Sequence, residues 1–191
     1  GNNVRFDEGK VRRSPVFRNV KDNLGFDPRA AFGVVPDSGF DTVIMVSDDY
    51  VIKEYANNTI TNRSGSITSV SDPRAFTMSS LADVTYINRP DRVPAYRLGG
   101  GANFADLPNW DSTWRTEALR PFGDFMLALN VTEGAINYPN RVRFSNLVSA
   151  NSIPDSWDET DTTKSAGFND LVQMQTSIVD GAQLGTNFII Y

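Results

Sequence analysis

A hairpin signal that returns along the chain constrains its fold more than any other feature. Arg29-Ala30-Ala31-Phe32 precedes Asp41-Thr42-Val43-Ile44-Met45-Val46, and Arg74-Ala75-Phe76-Thr77 precedes Ala82-Asp83-Val84-Thr85-Tyr86-Ile87. The same order recurs at 116–119 with 124–129, and at 176–179 with 186–191. With Ala31, Ala75, Ala118 and Ile178 as equivalent points, the steps are 44, 43 and 60 residues. A period in the low forties with two or more strands per unit is how propeller blades look in sequence. The expected fold class is therefore all-β, with β-propeller-like blades of antiparallel meanders. The last copy stops on Phe188-Ile189-Ile190-Tyr191, a strand whose blade should continue, and the chain opens on Gly1-Asn2-Asn3. We therefore expect the set of blades to be incomplete in this fragment of a longer protein.

Two units are expected. Residues 1–28 form an opening hairpin and connector, in which 3–6 and 11–13 alternate polar and apolar around Asp7-Glu8-Gly9-Lys10. Residues 29–191 carry the blades. In the first, 43–46, 50–55 and 59–61 step outward through Ser47-Asp48-Asp49 and Asn57-Asn58. In the second, 86–88 turns at Arg89-Pro90-Asp91-Arg92 into 93–97, and 99–111 reads as a flexible connector carrying Trp110. In the third, two strands flank Arg120-Pro121-Phe122-Gly123 and another lies at 140–144. A polar insertion at about 145–170 explains the longer final step. The stretches 147–152 and 169–174 each allow one helical turn, too short for a stable helix.

Composition removes much chemistry. The chain has no Cys and no His, so it offers no thiol nucleophile, disulfide, thiolate metal site or Ser-His-Asp arrangement. Carboxylates, Lys or Tyr bases and oxygen-built Ca²⁺ or Mg²⁺ sites remain. A net charge of -5 argues against a protein held tightly on nucleic acid by phosphate contacts. It is compatible with a surface that nucleic acid passes without sticking. No apolar run approaches the roughly 20 residues that span a bilayer, so no membrane segment is expected.

The acidic loop Asp155-Ser156-Trp157-Asp158-Glu159-Thr160-Asp161 spaces oxygen ligands somewhat as a Ca²⁺ loop does, but lacks the central Gly and the closing Glu. A solvated loop anchored by Trp157 is the favoured reading, with Asp155, Asp158, Glu159 and Asp161 as its charged face. Arg12, Arg13, Arg18 and Lys21 form the one basic cluster, suited to an acidic partner or a phosphate backbone. Trp110, Trp114 and Trp157 with Asp111, Asp155 and Asp158 are the residues a carbohydrate site would draw on. Asp111-Ser112-Thr113-Trp114 resembles the Asp-box turn of sialidase-like propellers only at its Thr-Trp end and in the Asp two residues before the Thr. Neither catalytic, cofactor nor metal residues are assigned.

The opening Asn2-Asn3-Val4-Arg5-Phe6-Asp7-Glu8-Gly9-Lys10-Val11-Arg12-Arg13-Ser14-Pro15 resembles nozzle proteins of short-tailed bacteriophages, also called tail tubular protein B, and the related packaged-DNA stabilisation proteins. Further matches are 119–130 (Leu-Arg-Pro-Phe-Gly-Asp-Phe-Met-Leu-Ala-Leu-Asn), 137–145, 152–158, Val179-Asp180-Gly181 and 188–191. Val16 departs from the Gly that those relatives carry after the Pro. The resemblance implies a structural virion protein without catalytic residues or cofactors, its motifs lying on propeller strands and loops. It also implies a homohexameric ring below the portal and adaptor in the phage tail, reached by tail fibres and passed non-specifically by double-stranded DNA. On this reading the acidic loop faces the channel or the neighbouring subunit. The alternative is a carbohydrate-binding or glycoside-hydrolysing propeller, and the position of the three Trp side chains separates the two: one exposed cleft for sugar, separate buried blade contacts for the tail protein.

Overall fold

The computed structural model describes residues 23–34, 42–47, 49–67, 76–99 and 101–191, together with the backbone of 4–7 and 10–13. Its described residues form strands, turns and loops and no helix. A hairpin of β1 (Val4–Asp7) and β2 (Lys10–Arg13) opens the chain. Three four-stranded antiparallel meanders follow, each laid down in sequence order. The first holds β3 (Pro28–Val34), β4 (Thr42–Ser47), β5 (Ile52–Ala56) and β6 (Thr59–Asn62). The second holds β7 (Thr77–Leu81), β8 (Val84–Asn88), β9 (Ala95–Arg97) and β10 (Ala105–Asp106). The third holds β11 (Arg115–Phe122), β12 (Phe125–Glu133), β13 (Ile136–Phe144) and β14 (Gly167–Asp170). Last comes the pair β15 (Gly181–Leu184) and β16 (Asn187–Ile190). The chain is thus an all-β array of meander blades.

Consecutive blades share cores, and the strand pleat explains how. Successive side chains point to opposite faces, so a strand between two neighbours is apolar on both. On β8, Val84 and Tyr86 enter the core with Leu119 and Met126, whereas Ile87 enters the core with Ile44 and Ile52. On β12, Met126 and Ala128 face the second blade's cluster, while Leu127 and Leu129 join Val142 and Ile178, against which Phe188 and Ile190 pack. Three hydrophobic clusters therefore fill three seams. First strands of neighbouring blades also pack together, β7 with β11 and β11 with β15.

Arginines brace the seams. Glu54 on β5 accepts from Arg97 of β9 at 2.8 Å and from Arg63 at 2.6 Å, and Arg63 also donates to the Gly101 carbonyl. Arg120 of β11 holds Asp180 through both carboxylate oxygens, at 2.8 and 2.7 Å, and donates to the Met78 carbonyl of β7 at 2.8 Å. Asn88 of β8 donates to the Thr116 carbonyl of β11 at 2.9 Å.

Several expected boundaries move. Ala82 and Asp83, expected to open a strand, are the two-residue turn between β7 and β8, with φ of 52° and 64°. The second unit's first strand is 77–81, later than Arg74–Thr77, and Arg74 and Ala75 lie outside the described residues. The fourth unit's first strand is 181–184, where 176–179 was expected. Both true first strands, Thr-Met-Ser-Ser-Leu and Gly-Ala-Gln-Leu, hold too few large apolar residues to stand out. Pro121 and Phe122 extend β11 and do not form the turn, which is Gly123-Asp124. The connector 99–111 and the insertion 145–170 each supply a fourth strand, β10 and β14.

Candidate functional site

The three tryptophans, far apart in sequence, meet at the seam between the second and third blades. Trp110 follows β10, Trp114 precedes β11, and Trp157 lies in the loop between β13 and β14. Trp110 meets Trp157 edge-on at 4.8 Å between ring centroids and Trp114 edge-on at 5.8 Å. Its indole N–H donates to the Trp114 carbonyl at 3.1 Å. Trp157 is 1% exposed and Trp110 6%, so these rings belong to the seam's core. Above them opens a cleft of about 570 Å³, lined by the three indoles with Asp111, Asp155, Asp158 and Glu159 among others.

The loop that builds this cleft is clamped to β13 and its flank. Arg143 of β13 is fully buried and its guanidinium lies 4.0 Å over the Trp114 ring. It donates to the Trp157 carbonyl at 2.9 Å, to Glu159 at 2.6 Å and to Glu133 at 2.7 Å. Such a fork suits arginine, whose planar donors serve several acceptors while one face stacks on an aromatic ring. Arg141 beside it pairs with both oxygens of Asp170, at 2.8 Å each, and is flanked by Tyr138 and Phe168 rings at 3.7 and 3.9 Å. Asn146 donates to Asp155 at 2.8 Å and accepts from the Ser165 N–H at 2.8 Å, while Lys164 reaches the other oxygen of Asp155 at 2.6 Å.

The cleft carboxylates are already engaged. Asp111 accepts from the hydroxyl and N–H of Thr113, both at 2.7 Å; Asp158 takes the same two bonds from Thr160, and Asp161 from Thr163. These bonds hold Asp111, Asp158 and Asp161 below the usual carboxylate range. Hydrogen bonds from Lys164 and Asn146 do so for Asp155, and the Arg143 hydrogen bond for Glu159. All five stay ionised at neutral pH.

Asp155, Asp158 and Glu159 thus rim one cleft, with Asp161 farther along the same loop outside its lining. Trp157 anchors that loop, as expected. The tryptophans are neither an exposed sugar-stacking cleft nor separate blade contacts: they converge, Trp110 and Trp157 buried and Trp114 half-buried against them. Among the described residues no three carboxylates gather as a cation site. Of the basic cluster, the side chains of Arg12 and Arg13 and all of Arg18 and Lys21 lie outside the described residues. Arg143 was not singled out in the sequence; Arg141-Val142-Arg143-Phe144, two arginines at period two beside an apolar pair, is the signal that marks it.

Compared with known proteins, the chain matches no family model and no curated protein. Among the described residues no helix is long and apolar enough to cross a membrane.

Proposed function

We propose that this protein is a structural virion component of a short phage tail, part of the nozzle ring below the portal and adaptor through which DNA is retained and ejected. One observation supports this most: the stretches that resemble nozzle proteins fall on the blade framework. Residues 119–130 span the β11–β12 hairpin, 137–145 cover β13, 152–158 seat Trp157, and 188–191 lie on and just beyond β16. A stack of blades with shared cores and cross-seam arginines is a stiff block, as a ring through which DNA is driven requires. The face of Asp155, Asp158, Glu159 and Asp161, ionised at neutral pH, suits a wall that repels phosphate and lets duplex slide.

The convergence of the tryptophans under a carboxylate rim favours a second reading, glycan binding. Hydrolysis is the weaker form of it, because a glycosidase needs one carboxyl kept protonated and every cleft carboxylate is held ionised. The test is the assembly state of the purified protein by mass photometry and cryo-electron microscopy. A six-fold ring with an open channel is expected. A monomer would defeat the nozzle reading and make glycan binding at the tryptophan cleft the next measurement.

A further inference from the structure

The sequence holds one Asp-Gly junction, Asp180-Gly181, and no Asn-Gly. An aspartate followed by glycine rearranges most readily, because glycine has no side chain to shield its nitrogen from the aspartyl carboxyl. The nitrogen attacks Cγ and loses its proton, the carboxyl gives up one oxygen as water, and a cyclic imide closes. Water then opens the imide at either carbonyl. One opening returns aspartate; the other leaves isoaspartate, whose backbone runs through the former side chain. The fold cannot avoid the hazard by replacing the glycine. A Cβ at Gly181 would stand 2.5 Å from the Phe188 ring and 2.9 Å from the Ile189 carbonyl.

The attacking nitrogen is already close: the Gly181 N–H donates to Asp180 Oδ1 at 2.7 Å. A hydrogen bond approaches an sp² oxygen near the plane of its group, whereas attack on Cγ comes from above that plane. Turning the carboxyl about its Cβ–Cγ bond would exchange the first geometry for the second, and Arg120 opposes the turn. Its Nε donates to Oδ1 at 2.8 Å and its Nη2 to Oδ2 at 2.7 Å, a two-point grip that fixes the carboxylate plane. Arg120 is itself anchored on the Met78 carbonyl of β7 at 2.8 Å. Burial pushes the Asp180 carboxyl up, but the Arg120 and Gly181 hydrogen bonds outweigh it, so the group stays ionised and is a poor electrophile. We propose that Asp180-Gly181 is an isoaspartate-forming modification site, held unreacted in the folded protein by Arg120. Once formed, isoaspartate adds one backbone carbon between Asp180, which exchanges hydrogen bonds with Tyr191, and Gly181, which stands opposite Ile190. That offset displaces β15 against β16. The site is independent of both the nozzle and the glycan readings.

Prolonged storage of the intact protein at neutral pH tests it. Labelling by an isoaspartyl methyltransferase, and splitting of the peptide that carries Asp180-Gly181 into two species of equal mass, report the product. The folded wild type should accumulate little. In urea, and in folded Arg120→Ala, the rate should rise roughly tenfold, the factor carried by one charge-assisted hydrogen bond. Arg120→Lys keeps the charge but cannot hold both oxygens in one plane, and its rate should fall between the two. A folded wild type that forms isoaspartate as fast as the urea-unfolded chain would overturn the proposal. So would a folded Arg120→Ala protein that forms no more than the wild type, because the surrounding fold would then suffice without the arginine. If Arg120→Ala does not fold, Arg120→Lys with a wild-type thermal midpoint decides: a faster rate supports the proposal and an unchanged rate overturns it.

Discussion

At the scale of residues, Arg143 has the largest consequence. It is buried among an aromatic face, a backbone carbonyl and two carboxylates, so truncation leaves Glu159 without its cation and Glu133 with Arg141 alone, at 3.0 Å. Losing hydrogen bonds to charged groups costs about 1.5–3 kcal/mol. Arg143→Ala should lower the urea midpoint accordingly, and Arg143→Lys should recover little, because one ammonium cannot serve the same acceptors and stack. A lysine variant with wild-type stability would show that charge alone matters there. The carboxylates also fix the pH response. Arg143 and Arg141 hydrogen bonds lower Glu159 and Asp170; at Glu54 burial pushes upward but the Arg97 and Arg63 hydrogen bonds outweigh it. Each pKa is lower folded than unfolded, so the stabilisation is complete above the ordinary carboxylate range and is lost as pH falls through the lowered values. Urea midpoints should be flat from pH 7 to about 5 and fall below about 4; a steady decline between 7 and 5 would contradict this.

Among the elements, turns decide how cleanly each hairpin closes. Asn57-Asn58 and Ala82-Asp83 both have two residues of positive φ, the requirement of a type I′ turn. Asn suits it and Ala does not. Ala82→Gly should therefore stabilise the protein by about 0.5–1 kcal/mol in thermal unfolding, the relief of left-handed strain outweighing the added freedom of the unfolded chain. Gly181 is the opposite case: a Cβ there would lie 2.5 Å from the Phe188 ring and 2.9 Å from the Ile189 carbonyl. Gly181→Ala should cost about 1–3 kcal/mol and loosen β15–β16 in hydrogen exchange. Strands with dense apolar content, such as β4, β8 and β12, were legible from sequence because they are buried on both faces. The polar first strands β7 and β15 and the short outer strands β10 and β14 were not, since their pairing is backbone to backbone and leaves little mark on residue type. The loop's Trp157 and its acidic face were legible too. The meeting of three tryptophans was not, because it depends on how two blades sit together.

For the whole molecule, the seams between blades are what tie one meander to the next. Arg120 joins β11 to β7 and to Asp180 before β15, spanning three first strands. Arg120→Ala should lower stability by about 1–3 kcal/mol, with the loss of amide protection concentrated at β15–β16. Charge belongs to this scale as well. Asp158 and Asp161 bond to threonines of their own loop, so converting both to Lys reverses the face while leaving the Arg143 clamp. On the proposed nozzle reading, phage carrying the change should eject DNA slowly or stall; unchanged kinetics would count against a channel-facing loop.

The edge-on indoles carry an optical consequence. Trp110, Trp114 and Trp157 are all the tryptophans of the chain, held at 4.8 and 5.8 Å in near-perpendicular pairs. Chromophores that close and that skewed share their excited states, so the near-ultraviolet circular dichroism should show a coupled indole signal that vanishes on replacing Trp110 alone. Intrinsic emission then reports a single junction, between the second and third blades. A fluorescence melt will follow that junction and pass over whatever the last hairpin does.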